Sequence, residues 1–345
     1  VWEVNMKKNM LKKFLMGAVA CVILGSLVGC GNKAKETKAA DTKKTYELKL
    51  STTQAESSVI VQGLQNFADK VAERTDGGLK ITIYPSSQLG GEEDMIDQAM
   101  QGMNIAILSD AARMSDYVPE MGIFNMAYFV DNYDEAVKVM GTETFKGWTN
   151  DLTNHGLRIL TFNFYDGARS FVGHKPATKP EDLKGQVVRT PGAAPYVESI
   201  KSMGATPYSI AWSEVYNGIQ TKSIDGCEVQ YTSAVSSHIY EVAKYVNKTE
   251  HINLLNCVVT SDAWFNKLPE DYKKILVDTA NECGYENAKY VVSLQDQLEK
   301  ELIDNGMTIV EVDKTAFKEA AKKAYETLKL TEIREKIYKE IGKEL

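Results

Sequence analysis

Apolar and polar positions follow two different spacings along residues 46–345. Segments in which every second residue is apolar predict strands, whereas apolar residues spaced by three and four predict helices. The first five segments give the order strand, helix, strand, helix, strand over residues 46–51, 57–74, 80–84, 92–103 and 104–108. This order is typical of a parallel sheet with helices on both faces, so we predict an α/β fold.

A second set of alternating elements follows, and no Gly- or Pro-rich linker divides it from the first. Helices are predicted over residues 132–154, 194–203 and 213–222, and strands over residues 157–164, 169–173, 186–190, 243–247, 256–261 and 308–312. Residues 269–305 have a helical pattern about 50 Å long, which is either one helix running along two lobes or two helices. A Lys/Glu-rich helical segment follows. The missing linker predicts two lobes that exchange strands and share one hinge.

The N-terminal segment has the pattern of an export signal. Lysines within residues 7–13 precede an apolar run over residues 14–27, which is shorter than the ~20 residues of a membrane span. The run ends at Leu-Val-Gly before Cys30, which resembles a bacterial lipobox. We therefore predict a signal peptide over residues 1–29, a lipid on Cys30, and a flexible tether over residues 30–45. An ordinary signal peptide followed by a chance cysteine is the alternative.

The charge balance limits the kinds of ligand. The chain carries 40 Lys and Arg against 47 Asp and Glu, a net charge of −7 at pH 7. Lysines are concentrated before residue 46, so the remainder is more acidic still. Generic nucleic-acid binding requires a basic surface, and this balance argues against it. An acidic body can still bind a small anion at one local positive site.

The cysteines indicate neither a disulfide framework nor a zinc site. Beyond Cys30 the chain has Cys227, Cys257 and Cys283, an odd number without a C-x-x-C motif. Buried free thiols are the expected state, although one pair could form.

The sequence contains no motif that unites a nucleophile, a base and an orienting group. Gly-rich nucleotide-binding loops and a G-x-S-x-G elbow are absent. Three acids in the first turn of a predicted helix, Glu92, Glu93 and Asp94, are expected to complement its dipole. The histidines lack ligand spacing and are expected at the surface or at caps: His155, His174, His238 and His251. We therefore favour binding over catalysis, with no metal or cofactor.

Arg189 is the strongest candidate for a binding residue. A short Val-Val strand delivers its guanidinium to a loop that begins with Pro191 and Gly192. The planar fork of a guanidinium matches a carboxylate, which a lysine ammonium does not. A structural arginine paired with an Asp or Glu is the alternative.

Five short segments resemble one protein family, in order and at compatible spacings. They are YPSSQLG at 84–90, DGAR at 166–169, DLKGQVVRTP at 182–191, SEVY at 213–216 and DGCE at 225–228. Together they resemble the solute-binding proteins of TRAP (tripartite ATP-independent periplasmic) transporters, of the dicarboxylate-binding type, over nearly all of residues 46–330. Each segment alone is weak, and the ordered set behind an export signal is specific.

The resemblance implies a periplasmic-binding-protein-like α/β fold with two lobes, crossing strands, a central ligand cleft and a long helix spanning both lobes. We place lobe I in residues 46–166 and 255–294, and lobe II in residues 167–254 and 295–345. The resemblance also implies that Arg189 pairs with a ligand carboxylate. By the same resemblance, six further residues are expected at the ligand: Thr53, Gln54, Asp110, Arg169, Trp212 and Glu228.

Val229 stands where the family often has Asn, which removes an amide donor and leaves the finer ligand chemistry open. The resemblance implies a binding protein outside the cytoplasm that delivers a small organic acid to membrane subunits driven by an ion gradient. Two alternatives remain: a subunit presenting its ligand to a membrane signalling receptor, and a secreted enzyme on a similar scaffold. The acid stays open among sugar acids, aromatic or branched acids and C4-dicarboxylates.

Overall fold

The computed structural model describes residues 44–344. The predicted signal peptide over residues 1–29, the predicted lipidation site Cys30 and nearly all of the predicted tether lie outside the described residues. None of the helices in the described part of the chain is both long and apolar enough to cross a membrane. Residues 44–344 contain nine strands, which form a single mixed sheet.

The strands are short at the sheet edges and long at its centre. They are β1 (Tyr46–Ser51), β2 (Leu79–Tyr84), β3 (Ile105–Asp110), β4 (Leu157–Gly173), β5 (Val187–Arg189), β6 (Thr206–Tyr208), β7 (Gly226–Gln230), β8 (Tyr245–Ser261) and β9 (Thr308–Val310). The helices are α1 (Val59–Arg74), α2 (Glu92–Met100), α3 (Ala111–Met114), α4 (Tyr133–Met140), α5 (Glu143–Asp151), α6 (Ala194–Ser202), α7 (Val215–Gln220), α8 (Tyr231–Ser236), α9 (Asp262–Phe265), α10 (Glu270–Asp304), α11 (Lys314–Thr327) and α12 (Thr331–Ile341). Across the sheet the order is β2-β1-β3-β8-β4-β7-β5-β6, and β9 pairs with β8.

The first three strands form the parallel part of the sheet, as their order in the sequence predicts. β1 pairs in parallel with both β2 and β3. Helix α1 begins where the Ser58 hydroxyl accepts a hydrogen bond from the Val61 N–H at 3.2 Å, which satisfies a backbone donor at the helix start. Its apolar stripe faces the core, where Leu64 and Phe67 are fully buried.

The two central strands differ from the sequence prediction. Residues 157–164 and 169–173 were expected to form separate strands, but they are the two ends of the 17-residue strand β4. The interruption is a bulge near Gly167, whose φ of +105° suits glycine and is strained for other residues. In the same way, the strands predicted over residues 243–247 and 256–261 are the two ends of one strand, β8, which begins at Tyr245 and whose polar middle hides its strand pattern.

Strands β4 and β8 pair antiparallel with each other and connect separate cores. Phe164 of β4 lies in a first core with β1, β3 and α1. Seven residues later, Phe171 lies in a second core with Tyr196 of α6. Val246 of β8 lies in a third core together with Val215 of α7. The crossing strands therefore act as the shared connection that a two-lobed fold requires.

Helix α10 is one continuous helix of 35 residues, so the alternative of two helices is wrong. At 1.5 Å per residue it is about 52 Å long. Its first half packs in the first core through Leu276 and Cys283. Its second half packs in the third core through Leu298 and Leu302. The helix therefore spans both sides of the crossing strands.

Candidate functional site

A cleft lies where the crossing strands, the end of β1 and the end of β5 converge. Its deepest part is a cavity of about 50 Å³, which we call the cleft cavity. An adjoining cavity of about 300 Å³ shares Arg189, Trp212 and Glu92 with it, and continues the cleft outward. Six of the seven predicted ligand-facing residues line the cleft cavity: Thr53, Gln54, Asp110, Arg169, Arg189 and Trp212.

Arg189 has a buried guanidinium without an acidic partner. It ends β5 and is only 5 % exposed. Its Nε donates to the carbonyl of Ile210 at 3.0 Å, and its guanidinium carbon lies 5.4 Å from the Trp212 ring centre. Within residues 44–344 no carboxylate lies within ion-pair distance of it. Burial, reinforced by the nearby charge of Arg169, lowers the pKa of Arg189 to about 10. The unpaired fork is thus a strong site for an anion.

Arg169, the second predicted arginine, is held by an acid. Both its Nε and its Nη2 bond to the carboxylate of Glu228, the latter at 2.7 Å, and Nη1 donates to Gln230 at 3.2 Å. Although burial opposes the charge of Glu228, Arg169 lowers the pKa of that carboxyl to about 2. The Thr190 hydroxyl donates to the same carboxylate at 2.8 Å. Glu228 therefore lies behind Arg169 and is absent from the lining of the cleft cavity.

His251 is not at the surface or at a cap, as the sequence led us to expect. It is fully buried in the polar middle of β8 and stacks on Phe171, with ring centres 4.8 Å apart. Its Nε2 lies 3.6 Å from Glu228, which is beyond hydrogen-bond distance. Burial lowers the pKa of His251, so the ring is neutral at pH 7. His251 therefore lies next to Glu228, the carboxylate that bonds to Arg169.

A third arginine, Arg113, lies on the wall of the cleft opposite Arg189, and the sequence analysis did not single it out. Arg113 bonds to Asp110 at 2.6 Å and to Glu93 at 2.9 Å, and lies 3.3 Å from Glu92. Asp110 also accepts a hydrogen bond from the Arg113 N–H and so caps α3. Arg113 belongs to the same short loop as Asp110, which was the available signal in the sequence.

Glu92 has a different environment from the one that the sequence indicated. It lies in the first turn of α2, as predicted, but its side chain points into the cleft cavity and is only 13 % exposed. Burial raises the pKa of Glu92 from 4.5 to about 7; Arg113 opposes this rise, and Asp110 adds to it. Glu93 is exposed at the rim. The cleft therefore contains a carboxyl group that changes charge near neutral pH.

Gln54 joins the loop after β1 to the other side of the cleft. Its amide nitrogen donates to Asp166 at 3.2 Å, and its amide oxygen accepts from the Ser233 hydroxyl at 2.9 Å. Asp166 is fully buried and also accepts from Thr232 at 2.6 Å, and burial raises the pKa of Asp166 to about 6. Thr53 donates to Glu92 at 3.4 Å. Both atoms of the Gln54 amide are therefore engaged within the protein.

Several other lining residues have no local signal in the sequence. Asn256 of β8 is 7 % exposed, and its amide nitrogen has no hydrogen-bond partner among the described residues. Tyr196 lines the cavity from α6 and accepts a hydrogen bond from Asn125 at 3.0 Å. Val229 also lines the cavity. The Asn256 side chain also helps to lower the pKa of Asp166, so its amide lies beside that buried acid.

Metal and thiol chemistry are not indicated. Among residues 44–344, no three His, Cys, Asp or Glu side chains are arranged to hold a metal ion. Cys227, Cys257 and Cys283 are buried free thiols, the state expected from the sequence.

A mixed α/β sheet crossed by two long strands, with an arginine-lined cleft between its cores, defines the class of two-lobed solute-binding proteins. Residues 50–331 match the family described as bacterial extracellular solute-binding protein, family 7, and the chain belongs to this family. It is thus a solute-binding protein of the TRAP transporter type, which confirms the family and fold predicted from the sequence. Proteins of this family act outside the cytoplasm in transport.

Curated relatives match over most of their length. A solute-binding protein of Chromohalobacter salexigens is 30% identical over 268 residues, covering 77% of this chain and 79% of the relative. The sialic acid-binding periplasmic protein SiaP of Vibrio cholerae is 26% identical over 288 residues, covering 83% and 89%.

Solved structures of TRAP periplasmic solute-binding proteins share the fold. The protein from Ochrobacterium anthropi with bound L-fuconate has a TM-score of 0.84 at 27% identity, covering 86% of this chain and 99% of that one. The apo open structure from Escherichia fergusonii has a TM-score of 0.76 at 33% identity, with the same coverage. The ligand-bound structure superposes better than the apo open structure despite its lower identity.

Proposed function

We propose that the cleft binds a small organic acid whose carboxylate pairs with Arg189. The observation that carries this proposal is a guanidinium that is 5 % exposed, lines the cleft cavity and lacks an acidic partner among the described residues. A charged group is costly to bury unless it is paired, so the site is complete only when an anion is present. The fork accepts a carboxylate in two parallel hydrogen bonds.

The opposite wall favours a hydroxylated acid with one carboxylate. Asp110 and Glu92 line it, and Arg113 compensates only part of their charge. A second carboxylate placed there would face two acids, whereas hydroxyl groups can donate to them. Related proteins were solved with L-fuconate, L-galactonate and D-erythronate, which are hydroxylated acids of this kind.

Ligand capture is coupled to closure. The acid stabilises the closed arrangement only by as much as it binds that arrangement more tightly than the open one. Arg189 and Asp110 lie on opposite walls, so one ligand contacts both only when the cleft is shut. The closed protein then delivers the acid, chemically unchanged, to the membrane subunits of the transporter.

The protein is held at the outer face of the cell membrane by a lipid on Cys30, and residues 31–45 act as its tether. This part of the proposal rests on the lipobox-like sequence before Cys30 and the absence of large apolar residues after it. Replacement of Cys30 by serine should release the protein from washed membranes, and continued membrane association of that variant would disprove the anchor.

The binding role of Arg189 is tested by titration calorimetry against a panel of aldonic acids. Each hydrogen bond to a charged group contributes about 1.5–3 kcal/mol, so Arg189→Ala should weaken binding at least about 100-fold. Arg189→Lys should recover only part of that loss, because lysine lacks the fork. Arg74→Ala, which removes an arginine on α1 far from the cleft, is the matched control. Equal affinities for wild type and Arg189→Ala would refute the assignment.

A further inference from the structure

A second cavity lies on the other face of the crossing strands. Its volume is about 530 Å³, and we call it the hinge cavity. Neighbouring residues of the same strands face the two cavities: Arg169 and Leu254 line the cleft cavity, whereas Ala168 and Asn253 line the hinge cavity. Successive residues of a strand point to opposite faces, so the crossing strands separate the two sites.

Tyrosine rings form much of the wall of the hinge cavity. Tyr133 lies between Tyr165 and Tyr285, with ring centres 5.4 Å and 6.5 Å apart. Tyr231 lines the cavity from α8. The hydroxyl of Tyr165 donates to Asn253 at 2.8 Å, and that of Tyr231 donates to Glu299 at 2.9 Å. These hydroxyl protons are used within the protein, so the tyrosines offer a ligand ring faces and oxygen lone pairs.

The remaining polar groups of the wall are mostly acceptors. Lys248 is paired with Glu299 at 2.7 Å, and the Asn253 amide donates to a backbone carbonyl at 2.9 Å. The side chains of Asp134 and Asp296 form no ion pair or hydrogen bond with any residue in the range 44–344. The other three acids of the wall are paired with lysines: Asp131, Glu250 and Glu299. Two free and solvent-exposed carboxylates beside ring faces suit a ligand that brings donors and positive charge.

One contact within the protein illustrates this preference. The ammonium group of Lys289 lies 4.3 Å from the centre of the Tyr285 ring, on the same helix. Lys289 has no acidic partner among the described residues, and Tyr285 is 45% exposed at the cavity mouth. The face of the Tyr285 ring therefore already holds one ammonium group, that of Lys289.

We propose that the hinge cavity binds an organic ammonium or guanidinium compound with an apolar body, its charge at Asp134 and Asp296 and its body on the tyrosine rings. The volume lies within the roughly 300–1,000 Å³ typical of small-molecule sites. The site differs in chemistry from the cleft, where arginines select an anion. Its existence does not depend on which acid the cleft binds.

Occupancy of the hinge cavity is coupled to the cleft, and this step rests on the proposed function. The cavity wall includes Tyr133 of the first core and Tyr231 of the third. Faces on opposite sides of a hinge move in opposite senses, so closing the cleft widens the hinge cavity. An occupant there favours the closed arrangement and tightens binding of the organic acid, and the acid tightens binding of the cation by the same factor.

The site is tested with phenethylammonium as the probe and 2-phenylethanol as its neutral isostere, by titration of the purified full chain at low salt. Phenethylammonium should bind saturably at millimolar or lower concentration, and the isostere at least about tenfold more weakly. The double variant Asp134→Asn, Asp296→Asn should lose that preference. Asp278→Asn, an exposed position on the same helix, is the matched control and should behave as wild type.

Equal binding of the two probes, equal binding to the double variant, or no binding of phenethylammonium at 20 mM would overturn the site. The coupling is read separately, from the affinity of the organic acid with and without saturating probe. An acid affinity that rises about fivefold or more supports it, and an unchanged affinity contradicts it. Arg189→Ala should keep the cation site while losing the acid, which separates failure of this site from failure of the proposed function.

Discussion

At the scale of single residues, three arginines of the cleft differ in what neutralises them. Arg169 bonds to Glu228 and Arg113 bonds to Asp110, whereas Arg189 has only a carbonyl partner and a ring. The sequence indicated both Arg189 and Arg169 but could not distinguish their roles, because Glu228 lies 59 residues from Arg169 and meets it only through β-sheet pairing. The unpaired arginine is the one that remains available to a ligand.

Replacing Arg189 and Arg169 by methionine, one at a time, should change the free energy of unfolding in opposite directions. Arg189→Met removes a charge that is unpaired and buried when the cleft is shut, so the ligand-free protein should gain at most about 1–3 kcal/mol of unfolding free energy. The gain is smaller to the extent that the wild-type cleft opens and hydrates Arg189. Arg169→Met leaves Glu228 buried without its partner and should cost about 3–5 kcal/mol. Urea unfolding of the two variants beside wild type measures both changes. A loss of stability in Arg189→Met would show that this arginine is structurally paired after all.

Glu92 should make ligand binding depend on pH. Its pKa is raised from 4.5 to about 7, so it is protonated below pH 7 and charged above. An anion in the cleft favours the protonated form, and its affinity should fall as pH rises from 6 to 8, by at most about tenfold per unit. The pKa of His251 is lowered by burial, and burial raises the pKa of Asp166 only to about 6, so both groups titrate below Glu92. In calorimetric titrations, Glu92→Gln should remove most of the dependence of ligand affinity on pH. An unchanged dependence would show that another group causes it.

The raised pKa of Glu92 also makes the free energy of unfolding depend on pH. The direction of this dependence is opposite to that of most carboxyl groups, whose pKa is lowered by folding. Because the pKa of Glu92 is higher in the folded protein, the folded state binds more protons than the unfolded state between pH 4.5 and 7. The contribution of Glu92 to the unfolding free energy therefore declines as pH rises through that window. Binding of an anion with proton uptake offsets this decline.

At the scale of elements, the sequence predicted the strands and helices whose apolar residues repeat at a regular spacing. The strands β1 to β3 and the helix α10 repeat at regular spacing, so their local patterns were sufficient. The middles of β4 and β8 were missed, because Gly167 and the polar residues around His251 break the alternation there. Those polar residues are buried by partners distant in sequence, which a local pattern cannot show. The lobe boundaries at residues 166/167 and 254/255 stay a prediction.

Gln54 is expected to act as a latch between elements. Its amide connects the loop after β1 to Ser233 of α8 and to Asp166 of β4. Each of these two hydrogen bonds contributes about 1 kcal/mol, so Gln54→Ala should weaken ligand binding about 30-fold. The change should appear as faster dissociation, measured by stopped-flow displacement, because the latch forms after the ligand has entered.

The matched control is Gln62→Ala on α1, whose amide only reaches the carbonyl of Ser57 at 3.5 Å. Ser233→Ala should reproduce part of the effect of Gln54→Ala. Equal dissociation rates in Gln54→Ala and Gln62→Ala would leave Gln54 as a simple cavity-lining residue.

At the scale of the whole molecule, an unpaired buried charge opposes the closed arrangement until a ligand arrives. Burial lowers the pKa of Arg189 to about 10, and we expect this burial to be lost when the cleft opens. Opening would return the guanidinium to water and remove that cost. We therefore expect the ligand-free protein in solution to populate a more open arrangement than the one described here.

This expectation is checked with spin labels on cysteines introduced at Ser57 and Ser213, two exposed positions near the mouth of the cleft, with Cys21 and Cys30 replaced by serine. The remaining cysteines are buried and should not be labelled. Addition of the organic acid should shorten the label distance and narrow its distribution. Arg189→Met should show the short distance without ligand, because the charge that opposes closure is gone. A wild-type distance that is short and unaffected by ligand would mean that closure is set by packing, with Arg189 contributing only to affinity.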